Sequence, residues 1–254
     1  MFFKIKIADL NIGVECLYGT TAQFCGDYID EKISNENIDL SVVIDETDIA
    51  AERERDDNKE SPQDIQMEPG AYSNEYIETL VLLRKISEQL PRFDCFLMHG
   101  AVVSADEDGY MFTATSGTGK STHISLWKKY FDNVEIVNGD KPFLRVGEEG
   151  VTAYGTPWAG KEGWQKNVSV PLRAVCLLKR GLTNKIIERN PVAILPYIMR
   201  QVHYTDDTIM AGKTMELLNR MLGMVKVYEL ECDMSKEAAE CSYFGMMKHL
   251  SEVK

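Results

Sequence analysis

Apolar and polar positions alternate at the start of the chain, where Phe2 to Leu10 and Gly13 to Tyr18 read as a strand pair, and again at Ile38 to Ile44. Between Ser73 and Leu90 the period lengthens. Tyr76, Ile77, Leu80, Leu83, Ile86 and Leu90 fall on one helical stripe, Ser73 is placed to cap it, Glu75 suits its first turn and Pro91 ends it. That stripe is expected to pack on the main sheet rather than on another protein. Phe93 to Ser104 then reads as a buried strand broken at His99-Gly100, and Tyr110 to Thr115 as the next, entered from a turn at Asp106 to Gly109. Ile124, Trp127, Lys128 and Phe131 recur at helical spacing, with the Lys128 stem covering the edge of the stripe. Val134 to Val137 and Arg173 to Lys179 are further strands, and Phe143 to Val146 with Val151 to Tyr154 frame a hairpin. Pro191 to His203 and Asp207 to Leu222 read as helices, Val225 to Leu230 as the last strand and Ser235 to Leu250 as a closing helix.

Strands alternating with helices predict an α/β fold. The chain divides into a small α+β module at 1–90, carrying an acidic, apolar-poor tract at 45–68, and a larger domain at 91–254. The tract is expected to be a solvated loop or frayed helix. With 254 residues, 44% hydrophobic and 27% charged, the composition is that of a globular protein. A net charge of −12 argues against nucleic acid or an anionic membrane as partner, since both need a basic footprint. No apolar run reaches membrane-spanning length, and the opening residues read as a strand with early charges rather than a signal peptide, so the expected location is the cytoplasm. Six scattered cysteines, with no C-x-x-C pair, are expected to be buried free thiols.

The stretch with chemistry in it is Ala114 to Thr122, A-T-S-G-T-G-K-S-T. Its glycines allow successive backbone N–H groups to converge on phosphate oxygens, Lys120 reaches the terminal phosphates, and the Ser121 hydroxyl is suited to magnesium. A helix starting at Lys120 would add its positive end. Thr115, Ser116, Gly117, Thr118, Gly119, Lys120, Ser121 and Thr122 are therefore the candidate nucleotide cradle, with a strand before it and a helix after it as the motif requires. The alternative is a glycine-rich turn with an idle lysine. Such a pattern arises by chance in roughly 2% of chains of this length.

Three further positions join the list. Asp140 follows a short strand, where an acid can hold magnesium or simply make a turn. His99 sits in the strand preceding the cradle strand, as a core histidine or a phosphate-side group. Gly155 to Trp164 is either a packed connection or a lid, and its composition favours a lid; Lys161 and Glu162 within it are candidates for contact with an acceptor.

With these residues in view, the chain resembles the catalytic domain of HPr kinase/phosphorylase and, more distantly, the phosphate-loop region of ATP-dependent phosphoenolpyruvate carboxykinase. Ser116 to Thr122 looks like their shared S-G-x-G-K-[ST] loop, and Leu97 to Val103 like the H-G-V-L-V strand of HPr kinase. Gly155 to Lys161 is similar to a segment of HPr-kinase-like proteins from peptide-modification gene clusters. The resemblance covers roughly Phe93 to Gly181. It implies a P-loop-containing mixed sheet with flanking helices, ATP and Mg2+ as cofactors, Ser121 and Asp140 as metal ligands, and Lys120, Asp140 and His99 as the catalytic group. The implied activity is transfer of the γ-phosphoryl group to a hydroxyl of a peptide, protein or small molecule. One departure stands out: where those families show adjacent aspartates, this chain has Gly139-Asp140. That leaves a second reading, a nucleotide-binding accessory protein that has lost chemistry. No segment assigns an oligomeric state.

Overall fold

In the computed structural model the described residues are 1–57 and 72–247. Strands β1 (Phe2–Ile7) and β2 (Leu10–Glu15) form a hairpin, and β3 (Leu40–Val43) adds to β2 in parallel, giving a three-stranded sheet. The hairpin turns at Ala8-Asp9, both with positive φ, and not near Asn11 as the alternation suggested. A two-residue turn of that hand matches the twist of the strands it joins, so the apolar rhythm runs through it unbroken. Helices α1 (Gly19–Phe24), α2 (Glu46–Asp57) and α3 (Asn74–Ser87) accompany this sheet. The acidic tract is thus helical as far as Asp57, and its remainder lies outside the described residues.

Ser73 caps α3 by accepting from the Tyr76 N–H, as expected. The helix stops at Ser87, however, before Pro91, which sits inside a single tight turn at Leu90–Phe93. Its apolar face also departs from expectation. Ile77, Val81, Leu82 and Ile86 share a core with Ile5, Ile12, Val14 and Val42 of the small sheet, to which Leu97, Phe143, Tyr154 and Trp158 contribute from the rest of the chain. The helix covers the small sheet because three strands have one apolar face that needs a lid.

The second sheet has nine strands: β4 (Cys95–Leu97), β5 (Ala101–Ala105), β6 (Asp108–Thr113), β7 (Val134–Asn138), β8 (Phe143–Val146), β9 (Val151–Tyr154), β10 (Ser169–Arg180), β11 (Lys185–Glu188) and β12 (Lys226–Cys232). The twelve-residue β10 joins its two parts, pairing with β9 at its start and with β6 and β12 further on. Strands β6, β10 and β12 are mutually parallel. β5 runs against them and β7 runs against β5, so β7 shares their direction.

Period-2 alternation sorts the side chains onto two faces. Met111, Val175 and Leu177 meet helices α5 (Pro191–Met199) and α6 (Thr208–Met224) on one side, with Ile194, Ile198, Leu218 and Met221. Tyr110, Phe112, Ala174 and Cys176 meet α4 (Lys120–Tyr130) and α7 (Lys236–Met247) on the other, with Ile124, Trp127, Ala239 and Tyr243. The result is a mixed α/β fold with helices on both faces of a mixed sheet. All six cysteines are free and five are buried, as expected. No helix among the described residues is long and apolar enough to cross a membrane.

Candidate functional site

Because β6, β7, β10 and β12 run the same way, their carboxyl ends open onto one edge. The cradle segment follows β6, Gly139-Asp140 follows β7, Arg180 ends β10, and Cys232 to Met234 leave β12. His99-Gly100 enters β5 at this same edge. Carboxyl ends are where open sheets of this kind take ligands.

Gly117 (φ +74°) and Gly119 (φ +116°) hold the cradle in backbone conformations that favour glycine, and space is open beside both. Thr118 N–H and hydroxyl both donate to the Thr115 carbonyl, tightening the turn. Gly119 gives α4 no side-chain cap, so its first-turn N–H groups keep their anion-binding potential. Lys120 is 8% exposed, and its ammonium donates to the Ala114 carbonyl at 3.3 Å. An ammonium has three protons to place. Burial pushes its pKa down, Asp140 opposes that, and Lys141 adds to it. A triphosphate would satisfy the remaining donors, so these residues fit a nucleotide's anionic end. From β10, Arg180 donates through Nε to the Thr118 carbonyl (3.1 Å) and through its guanidinium to the Gly117 carbonyl, which leaves the outer rim of the cradle pinned.

Asp140 is held on every side. Buried Asn138 shapes the turn: its Oδ1 accepts from the N–H groups of Asp140 (2.9 Å) and Lys141 (2.8 Å), while its amide donates to Thr156. The Asp140 carbonyl accepts from Gly100 N–H at 2.8 Å. Its Oδ1 lies 3.0 Å from His99 Nε2 and its Oδ2 2.6 Å from Lys141 Nζ. Burial would raise this carboxyl's pKa; the His99 hydrogen bond and the Lys141 charge overcome it and hold the group well below the usual carboxylate range. The other ring nitrogen of His99, Nδ1, is 3.0 Å from the Gln201 side-chain amide, and its backbone carbonyl accepts from the Thr113 hydroxyl. Both imidazole nitrogens are therefore engaged by protein groups.

Gly155 to Trp164 is a packed connection in its first half rather than a lid. Residues 155–159 are buried, and Trp158 donates to the Thr79 carbonyl at 2.8 Å while touching Phe143. The segment also lies on the Asp140 turn, through Gly139 N–H to the Trp164 carbonyl and Lys141 N–H to the Trp158 carbonyl. A side chain at Gly139 would put its Cβ 2.6 Å from the Ala159 carbonyl oxygen, so an acid has no room there. Only the tip, 160–163, is exposed. Glu162 Oε2 lies 3.6 Å, and Asp140 Cβ 3.3 Å, from the point where a Gly160 side chain would start, which brings Glu162 toward the Asp140 turn. Lys161 is exposed at the same tip.

Thr115, Ser116 and Thr122 are exposed, and Ser121 is half-buried in the first turn of α4. Among the described residues no group of three or more His, Cys, Asp or Glu could hold a metal on its own. Magnesium needs no such cluster, since it binds through one or two protein oxygens, phosphates and water, and Ser121 with Asp140 suits that pattern. Beside the cradle is a cavity of about 440 Å³, with Gly117, Thr118 and Gly119 in its lining. A larger, more open groove of about 1030 Å³ lies at the opposite, amino ends of β6, β10 and β12 and includes none of the cradle residues.

Lys141, Gln201 and Arg180 were not evident from sequence. Lys141 is adjacent to Asp140 and could have been noticed; Gln201 is 102 residues from His99 and carries no local signal.

No protein-family model and no curated protein matches the chain. Among solved structures it is similar to the Hpr(Ser) kinase/phosphatase from Coxiella burnetii, at 9% identity and a TM-score of 0.35, over 62% of this chain and 99% of that one. Residue roles here therefore rest on the geometry above.

Proposed function

We propose that this protein is an ATP- and magnesium-dependent phosphotransferase that moves the γ-phosphoryl group to a hydroxyl, on serine or threonine of a peptide or protein or on a small molecule. The observation that carries the reading is the buried Lys120 ammonium at the end of a glycine-turned cradle, on the same sheet edge as Asp140. Lys120 and the first-turn N–H groups of α4 bind and orient the triphosphate, and Lys120 offsets charge growing on the transferred group. Magnesium, when bound, supplies further neutralisation of the phosphates, held by Ser121 and Asp140. The acceptor oxygen forms a bond to the γ-phosphorus as the bond to the β,γ-bridging oxygen breaks; ADP leaves, and the acceptor's hydroxyl proton passes to the transferred phosphoryl oxygens and on to water. His99 and Lys141 keep Asp140 ionised and fixed, which suits metal orientation better than proton removal. His99 itself, engaged at both nitrogens, acts as a positioning residue. Glu162 and Lys161 at the exposed tip are the proposed acceptor contacts.

A second reading, the ATP-gated accessory protein, is favoured by a different observation. Gly139 cannot carry an acid and Asp140 is already satisfied, so the cradle could persist without chemistry. The test is γ-labelled ATP and magnesium with peptides, free serine and HPr, using Lys120→Ala as control. Label on an acceptor, lost by about a hundredfold or more in the variant, supports the kinase. ATP binding abolished by the same substitution, with no ADP released on any acceptor, selects the accessory protein.

A further inference from the structure

We infer that Lys141 is a second phosphate-binding cation, one that touches the γ-phosphoryl group and lets the site tell a nucleoside triphosphate from a diphosphate. The inference rests on the phosphotransferase reading of the cradle and adds a contact to it. The Lys141 backbone is clamped on both sides. Its N–H donates to Asn138 Oδ1 (2.8 Å) and to the Trp158 carbonyl (3.1 Å), and its carbonyl accepts from the Thr156 hydroxyl (2.8 Å). The side chain is anchored only once. Among the described residues its ammonium has one ion-pair partner, Asp140 Oδ2 at 2.6 Å, and the side chain is 34% exposed. An ammonium carries three protons, so one holds Asp140 and the others remain to be placed. A fixed root with a partly exposed, under-used cation at its tip is suited to taking a further anionic ligand.

The neighbours of Lys141 say which ligand. A chain of contacts joins it to the cradle lysine: Lys120 donates to the Ala114 carbonyl (3.3 Å), and the adjoining Thr113 donates through its hydroxyl to the His99 carbonyl (2.9 Å). His99 Nε2 lies 3.0 Å from Asp140 Oδ1, and Asp140 Oδ2 meets Lys141. Burial is the main cause of the lowered Lys120 pKa, and the Lys141 charge lowers it further, so the two ammoniums sit in one another's field. One carboxylate lies between them, and His99 takes its other oxygen. The cluster therefore has positive charge to spare, in a chain whose net charge is −12. On the phosphotransferase reading the γ-phosphoryl group is transferred beside Asp140, and a cation 2.6 Å from that carboxylate is within reach of it. ADP ends one phosphoryl group short and leaves Lys141 with Asp140 alone.

Calorimetric affinities of the full chain for ATP and for ADP, in EDTA and in magnesium, test this. Lys141→Met keeps the stem and removes the charge. It is expected to weaken ATP by about tenfold or more, the scale of one charge-assisted hydrogen bond, in EDTA as well as in magnesium. ADP affinity is expected to stay as in the wild type, which also serves as the control for folding. Lys141→Arg, with the charge kept, is expected to keep the preference for ATP. If Lys141 only holds Asp140, the variant without charge weakens ATP and ADP in parallel, or weakens ATP only in magnesium, or weakens neither. Each of those results overturns the inference and leaves the cradle standing. Lys120→Ala is expected to lose both nucleotides; if it loses neither, or if the wild type binds neither, the phosphate-binding reading falls and this inference with it.

Discussion

The small N-terminal sheet and the loop edge of the large sheet each hold a carboxylate withdrawn from water, and the two are held by different kinds of donor. Glu78, on α3, is fully buried and accepts from Leu17 N–H (2.6 Å), Tyr18 N–H (3.2 Å) and the Thr21 hydroxyl. Those are the groups at the start of α1, whose Tyr18 cap position makes no side-chain cap bond, so Glu78 caps that helix from another. Asp140 keeps 20% of its side chain exposed and is held by the side chains of His99 and Lys141. Local N–H groups consume the first carboxylate to build a fold. The side chains of His99 and Lys141 present the second at the edge where four strands end. Exposure and donor type together separate a structural acid from one available to a ligand.

Breaking the first has the largest expected effect. Glu78→Ala leaves a buried hydroxyl and two partly buried backbone donors without their acceptor; at about 1–3 kcal/mol for each donor that water does not reach, a loss of roughly 3 kcal/mol in unfolding free energy is expected. Chemical denaturation measures it. Asp140→Asn, by contrast, is expected to shift the denaturation midpoint less, since the amide keeps the side chain's shape and gives up only the charge pairing with His99 and Lys141. A Glu78→Ala midpoint equal to wild type would remove the distinction between the two regions.

How much of this was legible follows from distance along the chain. The cradle is one run of consecutive residues, Thr115 to Thr122, so its glycine and lysine spacing shows directly, as do the strand before it and the helix after it. Asp140 could be nominated because it follows a short strand and His99 because its strand precedes the cradle strand, and the structure brings them to 3.0 Å of one another. What holds them could not be read. Gln201 arrives through the α5 turn, and the Gly155 to Trp164 segment wraps onto Asn138 to Lys141 through backbone bonds that any sequence can make. A glycine-rich loop suggested mobility, but Gly139 and its partner loop use small residues for close packing. Two elements were missed for physical reasons as well. β11 is a four-residue edge strand, and α1 is a six-residue helix opening on glycine and two threonines, with little intrinsic helix preference of its own.

His123 sharpens the border between fold and site, for it lies one turn into the cradle helix and yet belongs to the fold. Its side chain is buried, with Nε2 2.8 Å from the Ser242 hydroxyl on α7, and burial lowers its pKa from 6.5 to about 4. Between those values the unfolded chain takes up a proton that the folded one refuses. Stability is therefore fully present above about pH 6.5 and falls as the pH drops toward 4, by on the order of 3 kcal/mol over the window. Denaturation midpoints across that range, compared with those of His123→Gln, are expected to show a shallower acid slope in the variant. Equal slopes would place the titration elsewhere.

Gly139→Asp puts the contrast to its hardest test at the site itself. The substitution creates adjacent acids at 139 and 140, and if the proposed kinase site lacked only a carboxylate, phosphoryl transfer should rise. The geometry gives the opposite expectation. The new Cβ meets the Ala159 carbonyl at 2.6 Å, and that carbonyl belongs to backbone, which cannot rotate aside as a long side chain can. The Gly155 to Trp164 segment must shift, disturbing the bonds that Gly139 and Lys141 make to Trp164 and Trp158. Overpacking of this kind costs about 1–3 kcal/mol. The variant is therefore expected to unfold at lower denaturant and to transfer no faster than wild type. A gain in transfer at unchanged stability would mean that the loop yields easily, and that the glycine is not a packing requirement.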